Sequence, residues 1–371
     1  MMPATFGSKR LTDSEMFLRE VESVLTRVQG IAKKEGKKTG FCIGNTTKKI
    51  SRDYFFTPIR NTLQCVSASI IIDRVALAEL LTKTIDGKVD YIFVDTEKKI
   101  SPDLYSAHDA GNVERAVRGF ATKSKVLTYK GNDLTVDALD CFFAQMLSFD
   151  ERGLGAKKVA IIGAGNIGFK IALKLTERGA HVVLVRRDKE KLDLIVEAIN
   201  CVKPAGTIAK AVGTTDMREA VKDADVVIGL TPGTKDITAE MISLVKEDAV
   251  LIDAGKGSFS PEAIQEAERR WLKIYRASVT ASFEGQINML LKMEELLEKT
   301  VGRREWEGIA IVSGSLLGRK GEMVVDNIFD PAEIYGIADG FGDFNRNPSA
   351  KEKRNLETLA ELIKNKQGVV K

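Results

Sequence analysis

Short apolar runs alternate along the chain with longer segments in which apolar residues recur every three or four positions. The first pattern is typical of strands buried in a parallel sheet, and the second of amphipathic helices. Strands are predicted at residues 40–43, 66–72, 89–94, 125–129, 159–162, 181–185, 225–230, 250–252 and 273–275, and helices at residues 16–31, 54–63, 73–81, 134–147, 283–300 and 350–363. Asp73 is expected to cap the helix that it begins. This alternation predicts an α/β fold in which helices cover parallel sheets.

A glycine turn joins the strand at residues 159–162 to a helix. It reads Gly163-Ala164-Gly165-Asn166-Ile167-Gly168, which is the GxGxxG spacing, and a second strand follows at residues 181–185. The first glycine of such a turn permits a sharp bend, the second lets a pyrophosphate approach the backbone, and the third lets the helix pack on the sheet. The free N–H groups of the first helical turn would face the anion. These six residues are therefore predicted to bind a dinucleotide.

The end of the second strand indicates which dinucleotide is bound. An acidic residue about 20 positions after the first glycine would hold the ribose hydroxyl of NAD, but the sequence there reads Val185-Arg186-Arg187-Asp188. Two guanidinium groups suit a 2′-phosphate, because arginine makes paired, charge-assisted hydrogen bonds to phosphate oxygens. Asp188 is expected to point elsewhere or to cap the next helix. We therefore predict NADP as the cofactor, with NAD as the alternative.

Turns after two later strands are further candidates for the cofactor site. Thr231 and Pro232 follow the strand at residues 225–230, and Gly255 comes shortly after the strand at residues 250–252. Ligands of open parallel sheets bind beyond the carboxyl ends of the strands. Thr231, Pro232 and Gly255 are therefore predicted to line the nicotinamide side of the cleft, and ordinary strand-end turns are the alternative.

These patterns divide the chain into three parts. Residues 1–149 are predicted to form an N-terminal parallel α/β domain that carries the substrate and catalytic residues. Residues 150–300 are predicted to form a Rossmann domain that binds NADP. Residues 301–371 are predicted to form a C-terminal extension that returns to the first domain or makes dimer contacts. Its glycine-rich segments, residues 314–321 and 336–345, are candidates for lids or dimer contacts.

Composition argues against several classes of protein. Of the 371 residues, 44% are apolar and 29% are charged, and the net charge of +4 comes from bases scattered among acids, so no nucleic-acid partner is expected. No apolar run reaches the length of about 18 residues that predicts a membrane span, and the first residues lack a signal-peptide core. Four widely spaced cysteines and two histidines indicate reduced thiols and no metal site. We expect a cytoplasmic homodimer that acts on a small molecule.

Four segments match motifs of one known family. Ile43-Gly-Asn45 matches the start of a substrate loop that reads I-G-N-P, and residues 89–99 match a strand that ends in N-V-T-x-P-x-K. Thr135-Val-Asp137 matches N-T-D-G-x-G, and residues 186–191 match the NADP loop N-R-T-x-E-K. Over roughly residues 40–300 the chain therefore resembles the shikimate and quinate dehydrogenases. These belong to a larger amino-acid-dehydrogenase-like group that includes the methylenetetrahydrofolate dehydrogenases.

The resemblance implies roles for individual residues. Lys99 falls on the catalytic lysine of the family and Asp137 on the carboxylate that pairs with it; Asn132 and Asp133 are rivals for that second role. Lys191 joins the two arginines in the NADP loop. The remaining positions, predicted to bind substrate, are Asn45, Ser51, Asn132 and Gln286. The alternative for Lys99 is a solvated loop lysine. The alternative for Asp137 is a helix-start carboxylate that the helix dipole favours.

The predicted function is an NADP-dependent oxidoreductase of a small polar alcohol/ketone or amine/imine. The substrate is expected to be anionic, because Lys48, Lys49, Arg52 and Arg60 surround the candidate substrate loop. Hydride transfer also moves a proton, and a lysine held by a carboxylate can supply it. One alternative is a dehydrogenase of a methylene-tetrahydrofolate or methanopterin carrier. A second alternative is a non-catalytic sensor that binds NADP.

Overall fold

The computed structural model describes residues 13–46, 50–100, 111–147 and 151–368, which divide between two compact units at Gln286 and Ile287. Lys48, Lys49 and the domain boundary predicted at residues 149 and 150 lie outside the described residues. The first unit contains two α/β domains and the second a small sheet with a helix. The α/β fold class predicted from the sequence is confirmed.

The N-terminal domain is a five-stranded sheet with order β2-β3-β1-β4-β5. Strands β1, β3, β4 and β5 are parallel, and β2 runs antiparallel to β3. The elements are α1 Asp13–Glu35, β1 Lys38–Asn45, β2 Tyr54–Asn61, β3 Cys65–Ile72, α2 Val75–Ile85, β4 Tyr91–Asp95, α3 Val113–Phe120 and β5 Lys125–Tyr129. The sheet is therefore mixed, not wholly parallel as predicted.

Strand β2 corrects the helix predicted at residues 54–63. Its residues Tyr54, Phe55, Phe56 and Thr57 favour strands, and the register with β3 shifts between Thr57 and Arg60. Proline lacks a ladder donor, which an edge strand with such an irregularity tolerates at Pro58. The edge position therefore allows a strand at residues that were predicted to form a helix.

Asp73 does not cap helix α2, contrary to the prediction. The N-cap residue of that helix is Arg74. The fully buried Asp73 carboxylate instead accepts the backbone N–H of Ile50 at 2.8 Å. Asp73 therefore fixes the turn before β2 and leaves the helix end without a side-chain cap.

The two faces of the N-terminal sheet differ in character. Phe41, Ile43 and Ile92 belong to a core that also contains residues of α1, α2 and α3. Because side chains alternate along a strand, the opposite face carries Gly40, Cys42, Ser69, Asp95 and other small or polar residues. Asp95, an ion-pair partner of Lys99, lies on that second face.

The second domain is a six-stranded parallel sheet with order β11-β10-β9-β6-β7-β8. Helix α4, Gly131–Met146, precedes it. The elements that follow are β6 Lys158–Ile162, α5 Asn166–Glu177, β7 His181–Val185, α6 Lys189–Val202, β8 Ala211–Thr214, α7 Met217–Val221, β9 Val226–Gly229, α8 Ala239–Ser243, β10 Val250–Asp253, α9 Pro261–Arg269 and β11 Lys273–Arg276. Strand order reverses beside β6, which is the doubly wound topology of dinucleotide-binding sheets.

The second compact unit begins within helix α10, Thr280–Lys299. It contains a four-stranded mixed sheet with order β12-β13-β14-β15, whose core includes Ile311, Met323 and Leu359. The remaining elements are β12 Arg303–Trp306, β13 Ile309–Ser313, β14 Met323–Val325, β15 Ile334–Ile337 and α11 Ala350–Gly368. Residues 314–321 connect β13 to β14, and residues 336–345 include the end of β15. Their predicted role as lids or dimer contacts stays a prediction.

The cysteines differ sharply in exposure, which gives a test of the fold. Cys42 and Cys65 are buried, and Cys141 and Cys201 are exposed. Burial raises the pKa of Cys42 and of Cys65 to about 12, and only the thiolate is nucleophilic. At pH 8 we expect iodoacetamide to alkylate Cys141 and Cys201 in the native protein and to leave the other two unmodified, as measured by peptide mass spectrometry. Alkylation of all four at similar rates without denaturant would contradict the described packing.

Candidate dinucleotide site and the lysine beside it

The glycine turn between β6 and α5 has the close packing that its sequence predicts. Gly163 has φ +119°, a region that disfavours other residues. A Cβ on Gly168 would lie 2.2 Å from the carbonyl oxygen of Gly163, so only glycine lets the helix begin this near the strand. A Cβ on Gly165 would meet nothing within 4 Å. The space in front of the helix is therefore open.

The N-terminus of α5 fits a pyrophosphate. Its N-cap residue is Gly165, and no side chain caps the helix. The first N–H groups of a helix lack intrahelical acceptors, and the helix dipole favours an anion there. Asn166, Ile167 and Gly168 therefore present donors toward open space.

The two arginines after β7 have different surroundings. Arg186 is partly buried, its Nη1 donates to the carbonyl oxygen of Ala164 at 2.6 Å, and its Nε is buried without a partner. Arg187 is exposed and makes no ion pair within the described ranges. Arg186 thus braces the glycine turn and keeps a donor free, and the Arg187 guanidinium is available to a ligand.

Asp188 is the N-cap residue of helix α6, as one reading of the sequence predicted. Its carboxylate accepts the backbone N–H of Lys191 at 3.1 Å and lies 3.2 Å from Lys191 Nζ. The backbone hydrogen bond lowers the pKa of Asp188. Lys191, predicted to bind the cofactor, is therefore paired with Asp188. The capping role also keeps this carboxylate from acting as an acceptor for a ribose hydroxyl.

A cavity of about 690 Å³ extends from the glycine turn. Residues 162–168, Arg186, Arg187, Thr231 and Pro232 line one side of it, and Lys99 and Asn132 of the N-terminal part line another. The structure therefore brings together most of the positions predicted for the cofactor with two of those predicted for catalysis and substrate.

Gly255 and Lys191 are predicted cofactor positions that do not line this cavity. A Cβ on Gly255 would lie 2.5 Å from the carbonyl oxygen of Thr231 and 2.4 Å from Ser258 Oγ. Gly255 therefore allows the turns after β9 and β10 to pack together. Its role is close packing behind the cavity wall.

Six lining residues were not predicted as site residues: Ile162, Val185, Thr215, Met217, Leu230 and Asp236. Thr215 and Met217 follow β8, a strand of four residues that the apolar pattern did not reveal. Leu230 and Asp236 flank the predicted Thr231 and Pro232. The doubly wound strand order, in which β8 lies beside β7, is the signal that would have placed Thr215 and Met217 near the adenine side.

Lys99 lies on the cavity wall between two carboxylates. Its Nζ is 2.8 Å from Asp95 Oδ2 and 2.8 Å from Glu97 Oε2. The Asp95 side chain is 3% exposed and that of Lys99 is 20% exposed. The Lys99 backbone N–H donates to Asn45 Oδ1 at 2.9 Å. Asn45, predicted to bind substrate, instead fixes the backbone that carries the lysine.

The same carboxylates receive the first N–H groups of helix α4. Asp95 Oδ1 accepts the N–H of Gly131 at 3.1 Å, and Glu97 Oε2 accepts that of Asn132 at 2.7 Å. A Cβ on Gly131 would lie 2.6 Å from both Asp95 Oδ2 and Lys99 Nζ, so glycine is required there. The helix end therefore fixes both carboxylates, and they fix the ammonium.

Asp137 does not pair with Lys99, which corrects the predicted pair. It lies 3.2 Å from Lys174 Nζ, on the helix face where α4 packs on α5. Three acids of α4 and three bases of α5 form the ion pairs of this face: Asp133 with Lys170, Asp137 and Asp140 with Lys174, and Asp140 with Arg178. Asp137 lies beyond the first turn of helix α4, too far along it to reach the carboxyl ends of the strands. Asp133, its rival, is paired with Lys170.

Two further predicted substrate residues lie outside the cavity lining. Ser51 lies in an exposed turn before β2, and Gln286 lies half-buried in α10. Arg52, expected to attract an anion, pairs with Glu20 at 2.6 Å. Asn132 does line the cavity, and its Nδ2 donates to Asn166 Oδ1 at 3.4 Å. Asn132 thus connects the start of α4 to the start of α5.

Residues 158–257 match a family model described as NADP oxidoreductase, coenzyme F420-dependent. These residues run from β6 to the turn after β10, which contains the glycine turn and the arginines. Residues 158–276 form an NAD(P)-binding Rossmann domain. Among the described residues, no helix combines the length and apolarity of a bilayer crossing, and no group of three or more His, Cys, Asp or Glu is placed to hold a metal ion.

Two kinds of curated relative match part of the chain. A glycerol-3-phosphate dehydrogenase [NAD(P)+] of Bacillus subtilis (strain 168) is 33% identical over 109 residues, which are 27% of this chain and 31% of that protein. A shikimate dehydrogenase (NADP(+)) of Dehalococcoides mccartyi is 23% identical over 151 residues, which are 39% of this chain and 52% of that protein. The chain thus spans about a third of the length of the first relative and about half of the length of the second.

Solved structures resemble the chain more broadly and more weakly. An ornithine carbamoyltransferase from Coccidioides immitis is 19% identical with a TM-score of 0.40, and covers 76% of this chain and 95% of its own. An L-tryptophan dehydrogenase from Nostoc punctiforme is 13% identical with a TM-score of 0.40, and covers 68% of this chain and 73% of its own.

Replacement of Arg187 tests the choice of dinucleotide. Arg187→Ala is expected to weaken NADPH binding by about 1.5–3 kcal/mol, the range for a hydrogen bond to a charged group, and to leave NADH binding unchanged. Titration calorimetry with both nucleotides measures this difference. Lys189→Ala is the control, since exposed Lys189 pairs with Asp193 and does not line the cavity. Equal affinity of the wild type for NADPH and NADH would contradict the assignment.

The ion pairs between α4 and α5 predict a pH-dependent stability. The hydrogen bond from Arg178 lowers the pKa of Asp140, so its contribution is complete above the unfolded pKa of about 3.9 and is lost as pH falls through the lower folded value. Asp140→Asn should therefore reduce the free energy of unfolding equally at pH 7 and pH 5, and less at pH 3.5. Urea denaturation at the three pH values measures this. A reduction that grows toward pH 3.5 would refute the pairing.

Proposed function

We propose that the protein is an NADP-dependent oxidoreductase that transfers a hydride to or from a small anionic alcohol/ketone or amine/imine. The observation that carries the proposal is the position of Lys99. It lies on the wall of the same cavity as the glycine turn of the Rossmann domain. A proton donor and a dinucleotide-binding turn that share one cavity suit hydride transfer, which moves both a hydride and a proton.

Lys99 is held in a way that suits proton transfer. An ammonium group has three N–H donors. Asp95 accepts one of them in a hydrogen bond, and Glu97 lies 2.8 Å from the same nitrogen as a second ion-pair partner. A donor remains for a substrate oxygen or nitrogen. In the direction of reduction, Lys99 gives a proton to that atom, and in oxidation it takes the proton back. With the dinucleotide bound, its nicotinamide supplies or accepts the hydride.

Charge and hydrogen bonding hold the donor during that step. Asp95 is buried and receives the N–H of Gly131, so its carboxylate cannot turn away from Lys99. Glu97 is fixed in the same way by Asn132. Groups that are oriented before the reaction cost little to reorganise during it. Asp95 and Glu97 are therefore the proposed partners of Lys99, in place of Asp137.

Preference for NADP is supported by the turn after β7. Arg187 carries a charge without an acidic partner in the described chain, Arg186 keeps a free Nε, and Asp188 is occupied as a helix cap. A 2′-phosphate would meet donors there, and a ribose hydroxyl would find no free carboxylate. The names of both curated relatives include NAD(P)+ or NADP(+), which agrees with this proposal.

Replacement of Lys99 tests the catalytic part of the proposal. A panel of hydroxy acids, polyols and amino acids is first screened for turnover with NADP+. The absorbance of the NADPH formed is the readout. Lys99→Met should then lower kcat by about 10²–10⁴-fold, the usual contribution of general acid–base catalysis, with NADPH affinity retained. Lys98→Met is the matched control, because the neighbouring Lys98 is exposed and does not line the cavity.

Two outcomes would contradict the proposal. Unchanged kcat in Lys99→Met would remove this lysine from the mechanism. Tight NADPH binding with no turnover of any compound by the wild type would instead favour a sensor that binds the cofactor without catalysis.

A further inference from the structure

Asp236 is an acidic residue on the wall of the cavity that contains the glycine turn. It is partly buried in the loop between β9 and α8, and its Oδ2 accepts a hydrogen bond from the Thr234 hydroxyl. Within the described ranges its carboxylate forms no ion pair, and Oδ1 accepts no hydrogen bond and is not enclosed by protein. One carboxylate oxygen is therefore available to a hydrogen-bond donor in the cavity.

The loop that carries Asp236 lies at the same end of the cavity as the ends of β7 and β8. Ile237, the next residue, is fully buried in a core that also contains Val185, the last residue of β7, and Met217 packs against this core. An ion pair of 2.7 Å joins α7 to α8. Val185, Met217 and Asp236 all line the cavity. These three side chains therefore border one end of it.

The position of the two arginines shows which half of a dinucleotide reaches that end. In a doubly wound sheet, the residues after the second strand hold the ribose of the adenosine half. Arg186 and Arg187 occupy this position after β7 and line the same cavity. The adenosine half therefore extends from the glycine turn toward the ends of β7 and β8, and its base comes to the end of the cavity that Met217 and Asp236 border.

The side chains around Asp236 suit an aromatic base. Ile162, Val185, Met217 and Leu230 give this part of the cavity apolar walls. Such walls favour the faces of a flat ring, and the thioether of methionine contacts aromatic rings favourably. The polar edge of the base still needs a partner, because a buried donor without an acceptor is unfavourable. Among the described residues that line the cavity, Asp236 is the one acid.

Hydrogen-bond chemistry restricts what Asp236 can bind. A carboxylate accepts hydrogen bonds and donates none. Adenine presents two N–H donors on its 6-amino group. The 2′-phosphate of NADP has no such donor and is repelled by a carboxylate, whereas Arg187 attracts it. The base, and not the phosphate, is therefore the part of the adenosine half that Asp236 can recognise.

We propose that Asp236 accepts a hydrogen bond from the 6-amino group of the adenine of a bound dinucleotide. The residue would thereby select adenine over a base that carries an oxygen at that position, which would place two acceptors against each other. This inference rests on the dinucleotide binding of the proposed function and adds the residue that recognises the base. It does not depend on the choice between NADP and NAD, since both contain adenine.

Exchange of adenine for hypoxanthine tests the inference in the wild-type protein. Calorimetric titrations compare NADPH with deamino-NADPH, whose base carries an oxygen in place of the amino group, and NADH with deamino-NADH. The adenine nucleotide of each pair is expected to bind about tenfold or more tightly, the size of one hydrogen bond to a charged group. Equal affinity within a pair overturns the inference, although the oxidoreductase function stands. If none of the four nucleotides binds, the proposed function fails and the inference fails with it.

Replacement of Asp236 assigns the preference to this side chain. Asp236→Asn introduces an amide, which can donate to the oxygen of hypoxanthine as well as accept from adenine. The preference for NADPH should therefore fall several-fold, with deamino-NADPH bound more tightly than by the wild type; a merely structural role would weaken both nucleotides alike.

Thr234→Ala is the matched control, because it removes the hydrogen bond to Asp236 and keeps the carboxylate. It should keep the wild-type preference for NADPH over deamino-NADPH. The wild-type preference in Asp236→Asn overturns the inference. Its loss in Thr234→Ala also does so, because it assigns the preference to the loop conformation.

Discussion

The candidate site depends on two carboxylates that each bind two partners. Asp95 and Glu97 form ion pairs with the ammonium group of Lys99. They also accept hydrogen bonds from the first backbone N–H groups of helix α4. The positive end of the helix dipole favours negative charge at this position. Without that helix end, a buried Asp95 beside a second carboxylate would be unfavourable. The lysine is therefore positioned by a helix terminus acting through two side chains, and no single ion pair determines its place.

Helix α4 transmits this arrangement to the Rossmann domain. Its first turn holds the Lys99 carboxylates, its Asn132 side chain donates to Asn166, and its acids pair with bases of α5 along the rest of the contact. Helix α5 is also the helix whose first turn faces the open space before the glycine turn. The distance between Lys99 and the glycine turn is thus set by the packing of two helices. Asp137 contributes to this packing, which explains its position without a catalytic role.

Sequence patterns correctly predicted the features that depend only on neighbouring residues. The GxGxxG turn needs only a strand, three glycines and a helix in sequence, and the structure places it as expected. The strands with long apolar runs were found for the same reason. Strand β8 and the strands of the C-terminal sheet, which have three to five residues each, were not predicted. Strand β2 was misread because its sheet-edge position, which tolerates Pro58, is a tertiary property.

The sequence analysis did not identify Asp95 and Glu97 as the partners of Lys99. Asp95 and Glu97 stand four and two positions before the lysine, where the resembled family has threonine and proline. These two departures from the family motif could have identified the partners of Lys99, because acids at alternate positions near the end of a buried strand can converge on one cation. Their significance depends on Gly131 and Asn132, which are more than 30 residues away and meet them only in the fold.

Two helix N-termini meet beside the cavity, and they are used differently. The N-terminus of α4 is filled by the protein's own carboxylates, and that of α5 has no side-chain cap and open space before it. The same backbone geometry therefore positions Lys99 through two carboxylates at one end and leaves unoccupied donors at the other. A substrate carboxylate at the α4 end would compete with Asp95 and Glu97 for the same donors and would meet their negative charge. The fold thus leaves the α5 terminus open to an anion and surrounds Lys99 with two carboxylates at the α4 terminus.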